Sequence, residues 1–461
     1  MNTPTKNWFA LIGLSLASFL TAIDFAIVNT ALPVMQIALS ASFLQLQWIM
    51  NVYVLVICTL LVTMGRFSDI VGRRCLLYLG IIIFGMTSLL CGVVNNAGYI
   101  ITGRALQGIG SAIIIPCSLA IVTRIFQGSS QGKALGVWTS INGIGFAIGP
   151  VLGGFLTHFL SWRWVFFINI PVVILSLIIC LSSLDKAIDR ADDSKITEKI
   201  DWPGFIYFTL GIACLVSAII QGPSWGWLNW QNKILFSIAA LALLTLCWVE
   251  KKAQHPMLKF RLFLNKTFFA GVLANFAIVT FAYVIFFFLP LYLHVIRQEN
   301  TNQIGMMLLP VTVTMTLVSP LVGHWVDKYG GKFFMLLGLI LLFISALAQY
   351  CFTTQSFINF ILILIATFSM GLAWGVIWGS ATHTAIAALP SKDAGLAAGA
   401  LWTIQNLGGA VGLAIAGALF RAQLIFTVGY AVVMEFLIIL CVVLFFTILR
   451  FYFFSENTKP L

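Results

Sequence analysis

Asp24 stands in the middle of ASFLTAIDFAIVNTALPVM, residues 17–35, a stretch otherwise apolar enough to cross a bilayer. A carboxylate at bilayer depth costs about 2.5–3.5 kcal/mol even on insertion scales, so such residues face a cavity, a partner or a transport pathway. Two readings are open. In one, Ser15, Ser18 and Thr21 share the helix face and the acid is hydrogen-bonded packing. In the other the acid carries a proton, because burial disfavours the charged form of a carboxyl and brings protonation within reach of physiological pH. Arg104, in RALQGIGSAIIIPCS, raises the complementary question. Gln107, Ser111 and Ser118 fall on its helix face at offsets of 3, 7 and 14. A guanidinium does not usefully deprotonate, so it needs an anion or water, and Asp24 is the acid that lies inside an apolar run of the first half. Arg104 either pairs with it structurally or holds it ionised until substrate or a conformational change intervenes, and the two roles are compatible.

Glu435, in VVMEFLIIL, is a third charge within an apolar run. A second proton site, an anchor for a cationic substrate and a lipid-edge acid kept protonated all fit its position. Tyr53, Gln107, Trp138, Asn142, Trp374, Trp378, Gln405 and Asn406, together with Glu435, are the candidates for a substrate cavity. Aromatic residues at helical spacing, such as Trp374 and Trp378, also serve as plain packing. Aromatic walls with few polar anchors are what broad lipophilic binding requires.

These residues need long apolar helices to hold them. Of 461 residues, 61% are hydrophobic and 8% charged, a balance that no water-soluble domain of this size carries. A span needs about 20 apolar residues, and fourteen such runs occur: 8–33, 46–65, 75–95, 98–123, 134–158, 164–184, 203–221, 232–250, 268–293, 303–326, 333–353, 357–382, 394–420 and 424–450. With the amino terminus in the cytosol, twenty of the 25 Lys and Arg lie on the cytosolic side. Four, Arg163, Lys233, Arg297 and Arg421, lie outside, and Arg104 lies within a span. The positive-inside rule then puts both termini in the cytosol and accounts for the net charge of +11 without nucleic acid. The nine cysteines form no C-x-x-C pair, so neither a metal site nor a disulfide framework is expected.

The chain also repeats. GRFSDIVGRR at 65–74 and GHWVDKYGGK at 323–332 carry Gly, Asp, Gly and a basic residue at the same offsets, each following an even-numbered span. Six spans occupy 1–184 and six occupy 268–461. Between them, 185–267 holds two polar cytosolic linkers and two extra spans at about 203–221 and 232–250. Parallel six-helix repeats place a substrate site near the midplane, between halves that rock past one another.

Together GRFSDIVGRR after the second span, GRALQGIGSA in the fourth, GIGFAIGPVLGG in the fifth, AIDFAIVNTALP in the first and SWRWVFFINIP leading into the sixth resemble the major facilitator superfamily, in its fourteen-helix drug:proton antiporter branch. Phe25 and Gly331 depart from the motif patterns. The resemblance implies an all-α polytopic membrane protein of two six-helix bundles plus two inserted helices. It also implies proton-coupled multidrug efflux by alternating access across a bacterial cytoplasmic (inner) membrane. An exporter of one metabolite, such as a siderophore, is the alternative on the same fold.

The resemblance further implies proton coupling at Asp24 and Arg104, and gating by Gly65, Asp69, Gly72, Arg73 and Asp327, with Asp69 capping a helix end across the interface between the halves. It implies an antiporter seal at Gly145, Gly149, Pro150, Gly153 and Gly154; glycines every four residues also let helices approach closely whatever the function. The expected partners are a small-molecule substrate, protons and the bilayer, with a monomer acting alone or with a periplasmic adaptor. No cofactor is expected. An intramembrane enzyme would need a second acid near Asp24 or an H-E-x-x-H helix, and neither is present. No nucleotide-binding loop is present either, so an ion gradient is the expected energy source.

Overall fold

The computed structural model describes residues 3–127, 129–185, 201–252, 260–354, 360–390 and 394–456, and every regular element among them is a helix. The charged linkers at 186–200 and 253–259 lie outside the described residues. In chain order the helices are α1 (Thr3–Ala38), α2 (Phe43–Val71), α3 (Arg73–Val93), α4 (Ala97–Ile125), α5 (Ser129–Phe159), α6 (Trp164–Phe167) and α7 (Asn169–Ser183). The inserted pair is α8 (Trp202–Trp225) and α9 (Trp230–Lys252). Then follow α10 (Lys266–Val295), α11 (Thr301–Tyr329), α12 (Gly331–Thr354), α13 (Phe360–Ala387), α14 (Ala394–Arg421) and α15 (Phe426–Glu456). They supply 14 stretches long and apolar enough to span a membrane, the sixth built from α6 and α7 together.

Two differences from the sequence expectation are local. The segment 65–74, read as a loop, is helical except at Gly72, where φ is +111°, a backbone region that glycine tolerates at little cost. The sixth span, read as one helix, is divided at Ile168. Pro171 cannot donate, and its ring opposes the carbonyl of Phe167, which is where α6 ends.

Residues Met1–Thr209 with Glu299–Met306 form one compact unit. Within it α1 runs along α5 and against α7, while α2 and α3 both pack on α4. Helix starts are capped locally. Ser42 and Gln45 form a reciprocal capping box at α2, and Asn96 accepts from the Gly98 N–H at 2.7 Å. In this unit α1 is the central helix: 83% of its most apolar window is buried, so its polar residues must find partners in protein.

Leu210–Gln298 with Met307–Leu461 form the second unit. Here α10 is central, buried over 89% of its window, and packs on α13, α14 and α15. The inserted helices contact each other where Gly211 of α8 meets Leu243 of α9. Arg421, at the end of α14, donates to the Ile220 carbonyl and, at 3.0 Å, to Ser224 Oγ of α8. Arg421 thereby ties the end of α14 to the last turns of α8, beside Pro223.

Candidate functional site

In the first unit, Asp24 and Arg104 meet and both are fully buried. Arg104 Nη1 donates to Asp24 Oδ2 and also, at 2.7 Å, to Gln107 Oε1. Its Nε donates to the Ile49 carbonyl of α2 at 3.3 Å, and the guanidinium carbon lies 4.0 Å from the centre of the Tyr53 ring. The other carboxylate oxygen, Asp24 Oδ1, accepts from Gln107 Nε2 at 2.8 Å and from Asn169 Nδ2 at 2.9 Å. Ser88 Oγ of α3 accepts from the same two amides, at 2.7 and 3.3 Å. Five helices therefore supply one polar centre: α1 the acid, α2 a carbonyl and a ring, α3 a hydroxyl, α4 the cation and one amide, α7 the other amide.

The local folding follows from side-chain spacing. Arg104 and Gln107 are three residues apart on α4, so they present one face, and α4 is the helix on which α2 and α3 both pack. Asn169 arrives because the break before Pro171 restarts the helix at that residue. Ser15, Ser18 and Thr21 share the buried face of α1, but the hydrogen bonds of Asp24 all come from α4 and α7. Ser18 donates instead to Asn142 Oδ1 of α5 at 2.8 Å, and Thr21 to the Ser18 carbonyl. Tyr53 joins the centre from beneath, its hydroxyl 2.8 Å from Ser111 Oγ and 3.1 Å from the Thr21 carbonyl.

An isolated ion pair at this depth would be expensive, since the attraction seldom repays the desolvation of both charges. Here each charge has further partners. The cation retains a carbonyl, an amide oxygen and an aromatic face if the acid is neutralised, and cation–π contact is strongest where water is excluded. The cation therefore does not depend on the acid alone for partners, and the arrangement sets one buried acid beside a fixed positive charge that other groups also hold.

The glycines of α5 lie directly against α1. A Cβ at Gly145 would stand 3.0 Å from Phe19, one at Gly149 would meet Ala26, and one at Gly153 would come 2.6 Å from the Ile27 carbonyl. Gly154 faces the first turn of α11 instead, where Gly305 in turn approaches the Pro150 carbonyl. Trp138 and Asn142 lie one to two turns earlier on α5; Trp138 is buried, and its carbonyl accepts from Asn142 Nδ2.

Of the gating residues, Asp69 is exposed and accepts from Arg73 Nε at 2.8 Å, one helical turn on across Gly72. Arg73 also reaches the Ala120 carbonyl of α4, and Gly65 packs near Pro116. Asp327 belongs to α11, but its side chain lies outside the described residues.

In the second unit Trp374 and Trp378 stack with ring centroids 5.1 Å apart and planes 9° from parallel. Asn406 accepts from the Tyr283 hydroxyl at 3.4 Å, and Gln405 beside it is buried with its Oε1 lacking a partner among the described residues. Gly408 and Gly412 of α14 meet Phe276 and Thr280 of α10, repeating the α5–α1 arrangement. Glu435 joins neither group. It is exposed, in line with exposed Val428, Ile439, Val442 and Phe446 at offsets of −7, +4, +7 and +11, the outward apolar face of α15.

Sequence reasoning did not single out Ser88 or Asn169. A serine within a span carries no signal of its own. Asn169 sat inside a recognised motif, where its spacing two residues before Pro171 was the available clue.

A family model described as Major Facilitator Superfamily matches residues 14–413 and, a second time, 271–460. The chain is 30% identical over 416 residues to the Multidrug resistance protein Stp of Mycobacterium tuberculosis, covering 90% of this chain and 76% of that one. It is 27% identical over 421 residues to the Riboflavin transporter RibZ of Clostridioides difficile, covering 91% and 89%. A crystal structure of the peptide transporter POT in complex with sulfate aligns with a TM-score of 0.70 at 12% identity, over 96% of this chain and 94% of that one, a likeness of fold.

Proposed function

The chain belongs to the major facilitator superfamily, and from that membership we propose that it is a proton-coupled antiporter exporting lipophilic small molecules by alternating access. The observation that carries the reading is the buried Asp24–Arg104 pair on the central helix of the first unit. A transporter of this class draws on an ion gradient, and a carboxyl that can be neutralised without stranding its cation is a means of coupling to protons. Likeness to a protein named for multidrug resistance supports a broad substrate range. So do the stacked Trp374 and Trp378 and, in the same unit, the buried Gln405 whose Oε1 has no partner among the described residues, which suit a lipophilic ligand with few anchors. The α5–α1 contact is the seal that keeps protons from leaking past the substrate path, and the Asp69–Arg73 pair belongs to the gate. The working location is the cytoplasmic membrane of a bacterium.

Export of a single metabolite is the second reading, favoured by the likeness to a protein named as a riboflavin transporter. Purified protein in liposomes with an imposed pH gradient, tested over a chemically varied panel, separates the two. Efflux of several unrelated lipophilic compounds supports the first; efflux of one compound alone supports the second. In the same vesicles Asp24→Asn should insert normally yet fail to concentrate substrate when protons flow inward. Uphill transport by that variant would remove Asp24 as the coupling site. Activity of the purified chain alone would also show that no periplasmic adaptor is needed for the chemistry.

A further inference from the structure

Each hydrogen bond made to the Asp24 carboxylate comes from a donor: Arg104 Nη1 to Oδ2, and Gln107 Nε2 and Asn169 Nδ2 to Oδ1. That is the shell of an ionised acid. A protonated carboxyl is itself a donor and needs an acceptor in the same place. Gln107 cannot supply it, because its Oε1 already accepts from Arg104 at 2.7 Å, and turning the amide would set N–H against the guanidinium. Asn169 can, because its Oδ1 is buried and has no partner among the described residues.

We propose that Asn169, with Ser88, is the positioning device that lets Asp24 exist in both protonation states, its side-chain amide turning over when the proton arrives. The inference rests on the reading of Asp24 as the proton carrier. A half-turn about the terminal bond of Asn169 exchanges two groups of nearly equal size. Oδ1 then stands where Nδ2 stood, 2.9 Å from Asp24 Oδ1, and accepts the new O–H. Ser88 makes the exchange possible on its other side. Its oxygen accepts from Asn169 at 3.3 Å while the acid is ionised, and after the turn its hydroxyl proton points back at the asparagine oxygen. It continues to accept from Gln107 at 2.7 Å throughout. The proton ends on Asp24; apart from the exchanged oxygen and nitrogen of Asn169 no heavy atom needs to leave its place, and the one bond that the turn takes from the acid is replaced by another, while those from Arg104 and Gln107 stay. Asn169 begins α7, so the state of the acid on α1 is read directly by the helix across from it.

The titratable groups facing this centre are Arg104 from α4, Tyr53 from α2 by way of Arg104, and Cys91 from α3. Toward α1, α5 presents Gly145, Gly149 and Asn142, and Cys180 of α7 packs on Gly13, about three turns along α1.

The test uses the full chain in liposomes. Asn169→Leu keeps the volume but can neither donate nor accept. Loss of the charge-assisted bond to the carboxylate outweighs loss of the neutral one to the acid, so the pH midpoint of gradient-driven efflux should rise by about one unit. Ser88→Thr, which keeps the hydroxyl, should retain the wild-type midpoint. A purely structural Asn169 would lower the rate or the amount of protein and leave the midpoint in place, and that result overturns the proposal. A second measurement needs no variant at Asn169. In wild-type protein with 13C-labelled asparagine side chains, an acid jump should shift an asparagine amide band as the Asp24 carboxyl band appears, and both changes should be lost together in Asp24→Ala. A carboxyl band that forms with no amide change refutes the turnover. If Asp24→Asn still couples transport to protons, the underlying reading fails instead, whatever Asn169 does.

Discussion

Replacing Arg104 by Gln removes the cation from Asp24 while keeping a side chain able to donate. Both partners are fully buried, so water does little to screen the loss. Removing one member of a buried ion pair typically costs about 3–5 kcal/mol. The effect on proton loading is smaller than that cost to stability: an opposite charge within about 4–6 Å of a carboxyl typically favours its ionised form by about one to three pH units. The structure argues for the lower end. Gln107 and Asn169 still donate to Oδ1 at 2.8 and 2.9 Å, and the substituted amide can approach Oδ2. The sign follows from which form loses its partner: the ionised acid is destabilised, so protons load at higher pH and leave less readily. The pH optimum of efflux in everted vesicles should therefore move up by about one unit, with a slower turnover at neutral pH where release becomes limiting. Arg104→Lys is not an equivalent change, since an ammonium lacks the fork that reaches Asp24, Gln107 and the Ile49 carbonyl together and can itself lose its proton. An Arg104→Gln protein with normal expression and an unchanged pH profile would refute the reasoning, because charge coupling between the two residues could not then be part of the cycle.

Two further outcomes bear on other parts of the molecule. Gly149→Leu puts a side chain where the backbone of α1 already stands, 3.2 Å from the Ala26 carbonyl carbon and the Ile27 nitrogen, and overpacking of this kind costs about 1–3 kcal/mol. It should reduce transport or make vesicles leaky to protons, readings available from substrate accumulation and a pH-sensitive dye; full efflux from tight vesicles would remove the seal. Glu435→Gln, on the outward face of α15, should change transport of cationic and neutral compounds by less than about twofold alike, within the usual effect of a surface change. Selective loss of the cations would put this acid on the substrate path.

How far the site could be read from sequence depends on contrast with the surroundings. Asp24, Arg104 and Gln107 are polar residues in apolar runs, so hydropathy exposes them, and the need of a buried charge for a counter-ion pairs the first two. Asn169 and Ser88 give no such contrast. An amide near the end of a span costs little, and a span serine can bond to its own helix, as Thr87 beside it does with the Ile83 carbonyl. What brings Asn169 to the acid is a helix break and a packing contact between α1 and α7, neither of which composition records. The misread loop at 65–74 has a related cause. Hydropathy marks the stretch that lipid can bury, whereas the backbone keeps its hydrogen bonds beyond that stretch, so α2 continues through charged residues until Gly72 ends it.

The internal repeat sharpens what is special about the first unit. In the second, the helices that follow the same order also build a buried polar network, but of different chemistry. Tyr430 of α15 donates to Gln349 of α12 at 2.6 Å, and Ser345 of α12 donates to the Ala366 carbonyl of α13 at 2.7 Å. Gln349 Nε2 lies 3.3 Å from Ser345 Oγ. Helices α12, α13 and α15 thus stand where α3, α4 and α7 stand in the first unit, and each pair of glycine-lined partners, α1 with α5 and α10 with α14, is kept. The acid and the guanidinium are not. A network of phenol, amide and hydroxyl holds three helices together at the cost of desolvating dipoles alone, and it has no charge to gain or lose near neutral pH. Among the described residues, the buried pair of Asp24 and Arg104 belongs to the first unit. On the reading proposed above, the extra cost of the ion pair is what proton exchange requires, since a neutral network can hold helices together without it.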